Sequence, residues 1–410
     1  MGRSEAIEAA KVCEDWKLIE NIWAIVFDTT STNTGVHNGA CTILEAEFIK
    51  RKLLWLACRH HIPELILKAV WKRLFGPSSS PSNQTFIHFR DRIWADIDTT
   101  ADTRTLFMNS RKFKSRRDKV IREFYKPYLA RDDIVRGDYR ESAEISMQLL
   151  GVTPPKGKKW RKPQGTSDAR FMSLFLYAGK IFAFSDQLVI EDGDLELYER
   201  FLMFCALYYI PYFLSASIGV DAPYNDLEFW NTMKSFSDKE IADAAIMTQE
   251  RHMWYITEEL TPLCLFSDKL SHSEKGSIAK KILKMKKDYN PEIFGQPTQP
   301  IVTDRTRLID LIGPQSWHIF SKFTSTEFLS RNPNTWPTDA GYNTMHKVLR
   351  NLKVVNDVAE RAVKLVSEYA EIITTDEDQK QYLYQVVEAS RVALKIDKLT
   401  KENMQLAFSK

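Results

Sequence analysis

Asp28 closes a continuous apolar run, Ile22-Trp-Ala-Ile-Val-Phe27, and opens a polar turn from Thr29 to Gly35. A run this short and this apolar suits a strand buried in a parallel sheet. The carboxyl ends of such strands are where ligands and metals bind. A carboxylate there can reach a cation while its strand stays packed, or it can cap the helix that follows. A second run, Leu53 to Ala57, ends at Cys58-Arg-His-His61, with Cys58 and His61 in C-x-x-H spacing. Two ligands fall short of the four of a structural zinc site. The pair predicts instead a small buried cluster that orients the strand end and the helix beginning at His60. Far along the chain, Glu360 lies in Val354-Val-Asn-Asp-Val-Ala-Glu-Arg361. There Asp357 with Arg361, and Glu360 with Lys364, have the spacing of ion pairs on a solvated helix face.

Phosphate contact is the second chemistry with candidates. Arg104 to Lys126 holds nine basic residues, Lys112, Lys114, Arg116 and Arg117 among them, against Asp118 and Glu123. Lys158, Lys159 and Arg161 surround Trp160 in a Pro-rich segment, and Lys275 to Lys287 is a third cluster. Such clusters suit nucleic-acid phosphates, with steep salt dependence, and equally suit a solvated helix face. An ordered loop at Trp160 would set an aromatic ring beside a base or sugar. Asp168-Ala-Arg170 reads as an ion pair anchoring the apolar helix after it. His88, His252, His272, His318 and His346 are isolated, and no phosphate-binding glycine loop or Ser-His-Asp arrangement appears, so kinase, dehydrogenase and hydrolase readings find no support.

The elements that must position these groups divide at about residue 76. Before it, helix (4–20, apolar Ile7, Val12, Trp16 and Ile19), strand (22–27), helix (34–48), strand (53–57) and helix (60–75) alternate as in an α/β fold. Gly76-Pro-Ser-Ser-Ser-Pro-Ser82 is a linker. From about 84 to 335 helical periodicity dominates, near 104–127, 139–150, 168–187, 192–217, 237–258 and 272–288. A long amphipathic helix is expected from Asp339 to Ile373, another over about 378–394, and a short last one from Lys398 to Phe408. Of 410 residues, 57 are basic and 54 acidic, so net charge names no partner. Five scattered cysteines without a C-x-x-C predict reduced thiols in a nuclear or cytoplasmic protein. No apolar run is long enough for a membrane span.

Taken together, these segments resemble the C-terminal part of the catalytic domain of hAT-type cut-and-paste DNA transposases. Asp28 with Asn33-Thr-Gly35 is similar to that family's second-Asp segment, and Leu53 to His61 to its strand with C-x-x-H. Ala359-Glu360-Arg361 resembles the Ser-Glu-Arg that carries the final Glu. The resemblance spans the chain on short motifs. It implies a mainly α fold with a small α/β part: a partial ribonuclease-H-like unit (1–75), an α-helical insertion (76–335), closing helices (336–395) and a tail (396–410). It implies Asp28 and Glu360 as two of three carboxylates for Mg²⁺ or Mn²⁺, supported by Cys58, His61 and Asn33, with DNA cleavage and strand transfer as the ancestral chemistry. The family's first Asp and first three strands have no counterpart before residues 4–20. The resemblance therefore implies a chain catalytically incomplete alone, with residual DNA binding. The edge of Asp28's strand is expected to stay open to a homo-oligomer or to a partner supplying strands. The rival reading is a non-enzymatic helical interaction protein, or a domesticated transposon protein. The two part on one geometric point: folding must bring Asp28 and Glu360 together, with the helical body looped out between them.

Overall fold

The computed structural model describes residues 2–77, 83–107, 110–134, 136–164, 172–355 and 379. It is mostly helical, with a single pair of parallel strands among the described residues. The chain runs α1 (Gly2–Asp15), β1 (Ala24–Phe27), α2 (Ser31–Thr34), α3 (Ala40–Ile43), β2 (Leu54–Ala57) and α4 (His61–Phe75). It continues through α5 (Gln84–His88), α6 (Arg111–Val120), α7 (Lys126–Leu129), α8 (Gly137–Leu149), α9 (Met172–Ala183), α10 (Asp192–Phe204) and α11 (Ile210–Leu214). The last described elements are α12 (Ala222–Lys234), α13 (Lys239–Gln249), α14 (His272–Met285) and α15 (Ala340–Arg350). Among the described residues, no helix is long and apolar enough to cross a membrane.

The strands pair in register, Ala24 with Leu54 through Phe27 with Ala57. Every residue of β2 is buried, which is why its sequence is apolar without alternation. Its far edge carries no third strand among the described residues. Side chains cap its two ends instead: the buried Glu45 carboxylate accepts from Leu53 N, just before the strand, at 2.7 Å, and also holds the Trp55 indole Nε1 at 3.3 Å. Tyr255 donates its hydroxyl to Ala57 O at 2.7 Å. Glu45 also accepts from Gly295 N; desolvation of this buried group lifts its pKa above the usual carboxylate range, against the pull of those donors. The β1 edge differs. Leu54 N bonds Trp23 O and Cys58 N bonds Phe27 O. This phase turns the Ala24 and Val26 peptides outward, and Val26 is 44% exposed.

One continuous apolar core runs from the strands into the helical body. At its sheet end, Phe27 meets Trp55 and Trp254 edge-on, with centroids 5.5 and 5.4 Å apart. In the body, α8 and α9 approach so closely that a Cβ on Gly179 would stand 2.9 Å from Ile145. The buried pair Lys180–Glu141, 2.8 Å apart, locks the same interface.

Several expectations are corrected. The predicted α1 face of Ile7, Val12 and Trp16 is not its packing face. Gly2, Ala6 and Ala10 are buried, and Val12 is 57% exposed. Small residues at this spacing let α1 lie close on α3, where Ala6 joins Ala40 and Ile43. The helix expected over 34–48 splits at Gly39, where a Cβ would collide with the Gly35 backbone at 2.5 Å. After α3 the chain widens through Leu44–Ile49, with Lys50 N bonding Glu45 O, and stops at Lys50 in left-handed conformation. In the region near 104–127, residues 104–107 are not helical and α6 begins at Arg111. Of the long helix expected over 339–373, the described part ends at Arg350 and gives way to an irregular stretch at Asn351–Val355; the rest of it, and the helices expected over about 378–394 and from Lys398 to Phe408, lie outside the described residues apart from residue 379. Helix α12 was not expected. Most of its residues are buried, so it has no amphipathic stripe to read.

Buried histidine supplies an acid sensitivity. His318 is wholly buried, with Nδ1 2.8 Å from Tyr289 Oη. Burial, with Lys322 and Lys52 nearby, holds its pKa at about 3. The unfolded chain binds this proton and the folded one does not. Stability from the neutral ring is therefore full above about pH 6.5 and is lost as pH falls toward the folded value. Between about pH 7 and pH 5 the loss from this one group is roughly 2 kcal/mol. Urea titrations at both pH values should show it, and His318→Asn should flatten the pH dependence while lowering stability overall.

Candidate functional site

Asp28 lies one residue beyond β1, at the carboxyl edge of the sheet. Its Oδ1 accepts three hydrogen bonds: from Thr30 N (3.1 Å), Thr30 Oγ1 (2.7 Å) and Asn33 Nδ2 (2.7 Å). Partial desolvation would raise the carboxyl, but these donors and the nearby His61 outweigh it and hold Asp28 below the usual carboxylate range. It is therefore ionised at neutral pH, and its Oδ2 accepts no hydrogen bond among the described residues. Asn33, on α2, reaches back to it, so the sequence pair Asp28–Asn33 is brought together.

Cys58 and His61 sit on the adjoining strand end. Cys58 N donates to Phe27 O at 2.6 Å, and His61 N donates to Cys58 O at 3.1 Å. Cys58 is buried, and His61 lies 4.0 Å from Glu64. Among the described residues, no three His, Cys, Asp or Glu side chains gather as a metal site. Asp28 is a hard oxygen donor suited to Mg²⁺ or Mn²⁺, but the described residues set no second carboxylate beside it. Glu360 lies outside the described residues, as do Asp168 and Arg170.

Sequence spacing missed what surrounds this edge. His252 stands near enough to His61 for their charges to interact. Burial first, then His61 and Arg251, lowers its pKa to about 4. Arg59, inside Cys58-Arg-His-His61, is 2% exposed and grips Asp226 of α12 through two bonds of 2.8 and 3.0 Å. Tyr212 donates to the same carboxylate at 2.8 Å, and the Tyr255 ring lies 4.7 Å beneath the guanidinium. Arg59 N in turn donates to Val354 O at 2.8 Å. Thus the strand end, the helical body and the returning chain meet at one residue. The one hint in the sequence is a charge set two residues after an apolar strand.

The basic candidates separate by what they touch. Ser110 caps α6 by accepting from Phe113 N, and the helix exposes Arg111, Lys114, Lys119 and, in the turn after it, Arg122 along one face. Lys112 is exposed but donates to Ser235 O at 2.7 Å. Arg116 and Arg117 are half-buried and donate to Leu207 O and Leu150 O, so both pin α6 to the body. Lys158 and Lys159 are exposed. The Trp160 ring is half-buried, edge-on against Phe184 with centroids 5.0 Å apart, which leaves it anchoring its loop. Arg161 donates to Gly137 O and Glu144.

Compared with known protein families, with curated proteins and with solved structures, the chain matches none.

Proposed function

We propose that this chain is transposase-derived: a partial ribonuclease-H-like unit of the hAT type carrying a helical insertion, ancestrally a Mg²⁺- or Mn²⁺-dependent DNA-cleaving and strand-transferring protein, with DNA contact along α6. The observation that carries the reading is the hydrogen bond from Arg59 N to Val354 O. After the whole helical body, the chain returns to the carboxyl edge of the two strands, beside the segment that holds Cys58 and His61. A residue six positions beyond Val354 lies within about 20 Å of it whatever the intervening path. Glu360 is therefore within reach of Asp28. Two carboxylates sharing one or two cations would suit in-line phosphoryl chemistry, one ion at the attacking oxygen and one at the leaving oxygen. In that arrangement Asn33 and Thr30 would fix the Asp28 carboxylate and leave Oδ2 for the ion.

A second reading, a helical interaction protein, draws on the same bonds: Asp28 already serves Thr30 and Asn33 and can be read as a turn residue. Proximity decides between them. In Asp28→Cys/Glu360→Cys, a bifunctional thiol reagent reaching about 8 Å, the span over which two carboxylates share cations, should give an internally cross-linked species. Neither single variant should give it. A double variant that stays uncross-linked would remove the transposase reading.

A further inference from the structure

An aromatic cleft of about 480 Å³ opens between the end of α6, α11 and α12. That is within the size range of ligand pockets, which are lined by apolar and aromatic side chains with a few convergent polar groups. Phe124 and Tyr224 line it half-buried, and Tyr208 and Tyr212 line it more deeply. Tyr212 cannot swing out, because its hydroxyl is bonded to Asp226 and its ring is stacked on Phe229 at 4.4 Å. Two cations frame the rings. The Arg116 guanidinium lies 4.8 Å from the Tyr208 centroid and the Lys269 ammonium 5.5 Å from that of Tyr224.

Asn225 is 8% exposed and turns its Oδ1 to Lys269 Nζ. Lysine only donates, so this contact fixes the amide orientation. Asn225 Nδ2 is then a buried donor with no partner. An orphaned buried donor is costly and calls for an acceptor from something that enters the cleft. The cleft shares Lys119 with the adjoining surface groove along Arg111, Lys114 and Arg122, in which Asp118 is the one acid and Arg122 is paired with Glu123 at 2.9 Å. Flat rings, an unused donor and a run of positive charge leading away describe the parts of a nucleotide: a base to stack, an edge to bond and phosphates to follow. Glu123 and Glu228 on the rim count against a free polyanion filling the whole cleft.

We infer that this cleft holds one unpaired base of a nucleic-acid strand whose phosphates run along the exposed face of α6. The inference rests on the DNA-contact part of the proposed function and names what is contacted.

The test uses the full chain and three probes: a blunt DNA duplex, the same duplex extended by a short single-stranded overhang, and that overhang duplex carrying 2-aminopurine in the overhang. The overhang duplex should bind roughly tenfold more tightly than the blunt one, as one stacked base allows, and 2-aminopurine fluorescence should be quenched on binding. Tyr224→Ala should bring the two duplexes within about twofold and abolish quenching; Tyr224→Phe should keep the preference. Thermal unfolding of Tyr224→Ala close to that of the parent separates this from loss of fold. Equal binding of both duplexes by the parent chain would overturn the cleft assignment and leave DNA contact standing. Binding of neither would overturn both. A preference that survives in folded Tyr224→Ala would place the base elsewhere and overturn the assignment as well.

Discussion

Asp226→Ala should destabilise the protein by about 3–5 kcal/mol, the range found when one partner of a buried ion pair is removed. Both members are almost fully enclosed, with side-chain exposures of 2% and 3%. The missing carboxylate would strand an arginine that cannot shed its charge at accessible pH. Tyr212 would lose its acceptor as well. Arg59 leaves the strand end and Asp226 sits on α12, so the damage falls on the joint between the sheet and the helical body. Replacing both members with apolar residues, Arg59→Met/Asp226→Leu, should recover most of the loss, because no isolated charge then remains buried. Urea titration of the three variants against the parent would measure this. A loss below about 1 kcal/mol for Asp226→Ala would mean that water reaches the pair in solution.

The second large effect concerns binding. Lys114→Glu/Lys119→Glu/Arg122→Glu reverses three charges on the exposed face of α6. It should weaken duplex DNA binding by about a hundredfold or more near physiological salt. It should also flatten the dependence of log K on log salt by about 0.9 for each phosphate that is no longer neutralised. Substituting Arg116 or Arg117 should act differently. These residues hold Leu207 O and Leu150 O, so their removal should appear first as lower stability. Fluorescence anisotropy across a salt series reads the slope directly. An unchanged slope in the triple variant would assign this face to solvation alone.

What could be read from the sequence was whatever is encoded locally. The strand at 54–57 announces itself because a fully buried parallel strand must be apolar at every position; the strand at 24–27 is as apolar, although only Phe27 of it is buried and Val26 is exposed. Helix α4 is legible from its apolar spacing and from Pro63 in its first turn, where a missing N–H costs nothing. Asp28 and Asn33 are legible together because they stand only five positions apart. Arg59 and Asp226 were not paired, because the bond joins residues 167 positions apart and neither neighbourhood carries a spacing rule. Helix α12 escaped for the opposite reason to α4: it is buried round most of its circumference, so polar and apolar positions do not alternate with its turn. The break after Arg350 was hidden too, since the apolar pattern runs on through Val354 and Val355, which are buried in irregular backbone.

The two margins of the small sheet are unlike. Glu45 and Tyr255 seal one, while the Ala24 and Val26 peptides point away from β2 at the other, with no backbone partner among the described residues. A ribbon sealed on one side accepts an added strand once and then offers nothing further. If two copies of this chain met through that margin, they would face each other about a two-fold axis and stop at a pair, whereas a ribbon open on both sides could extend into a fibre.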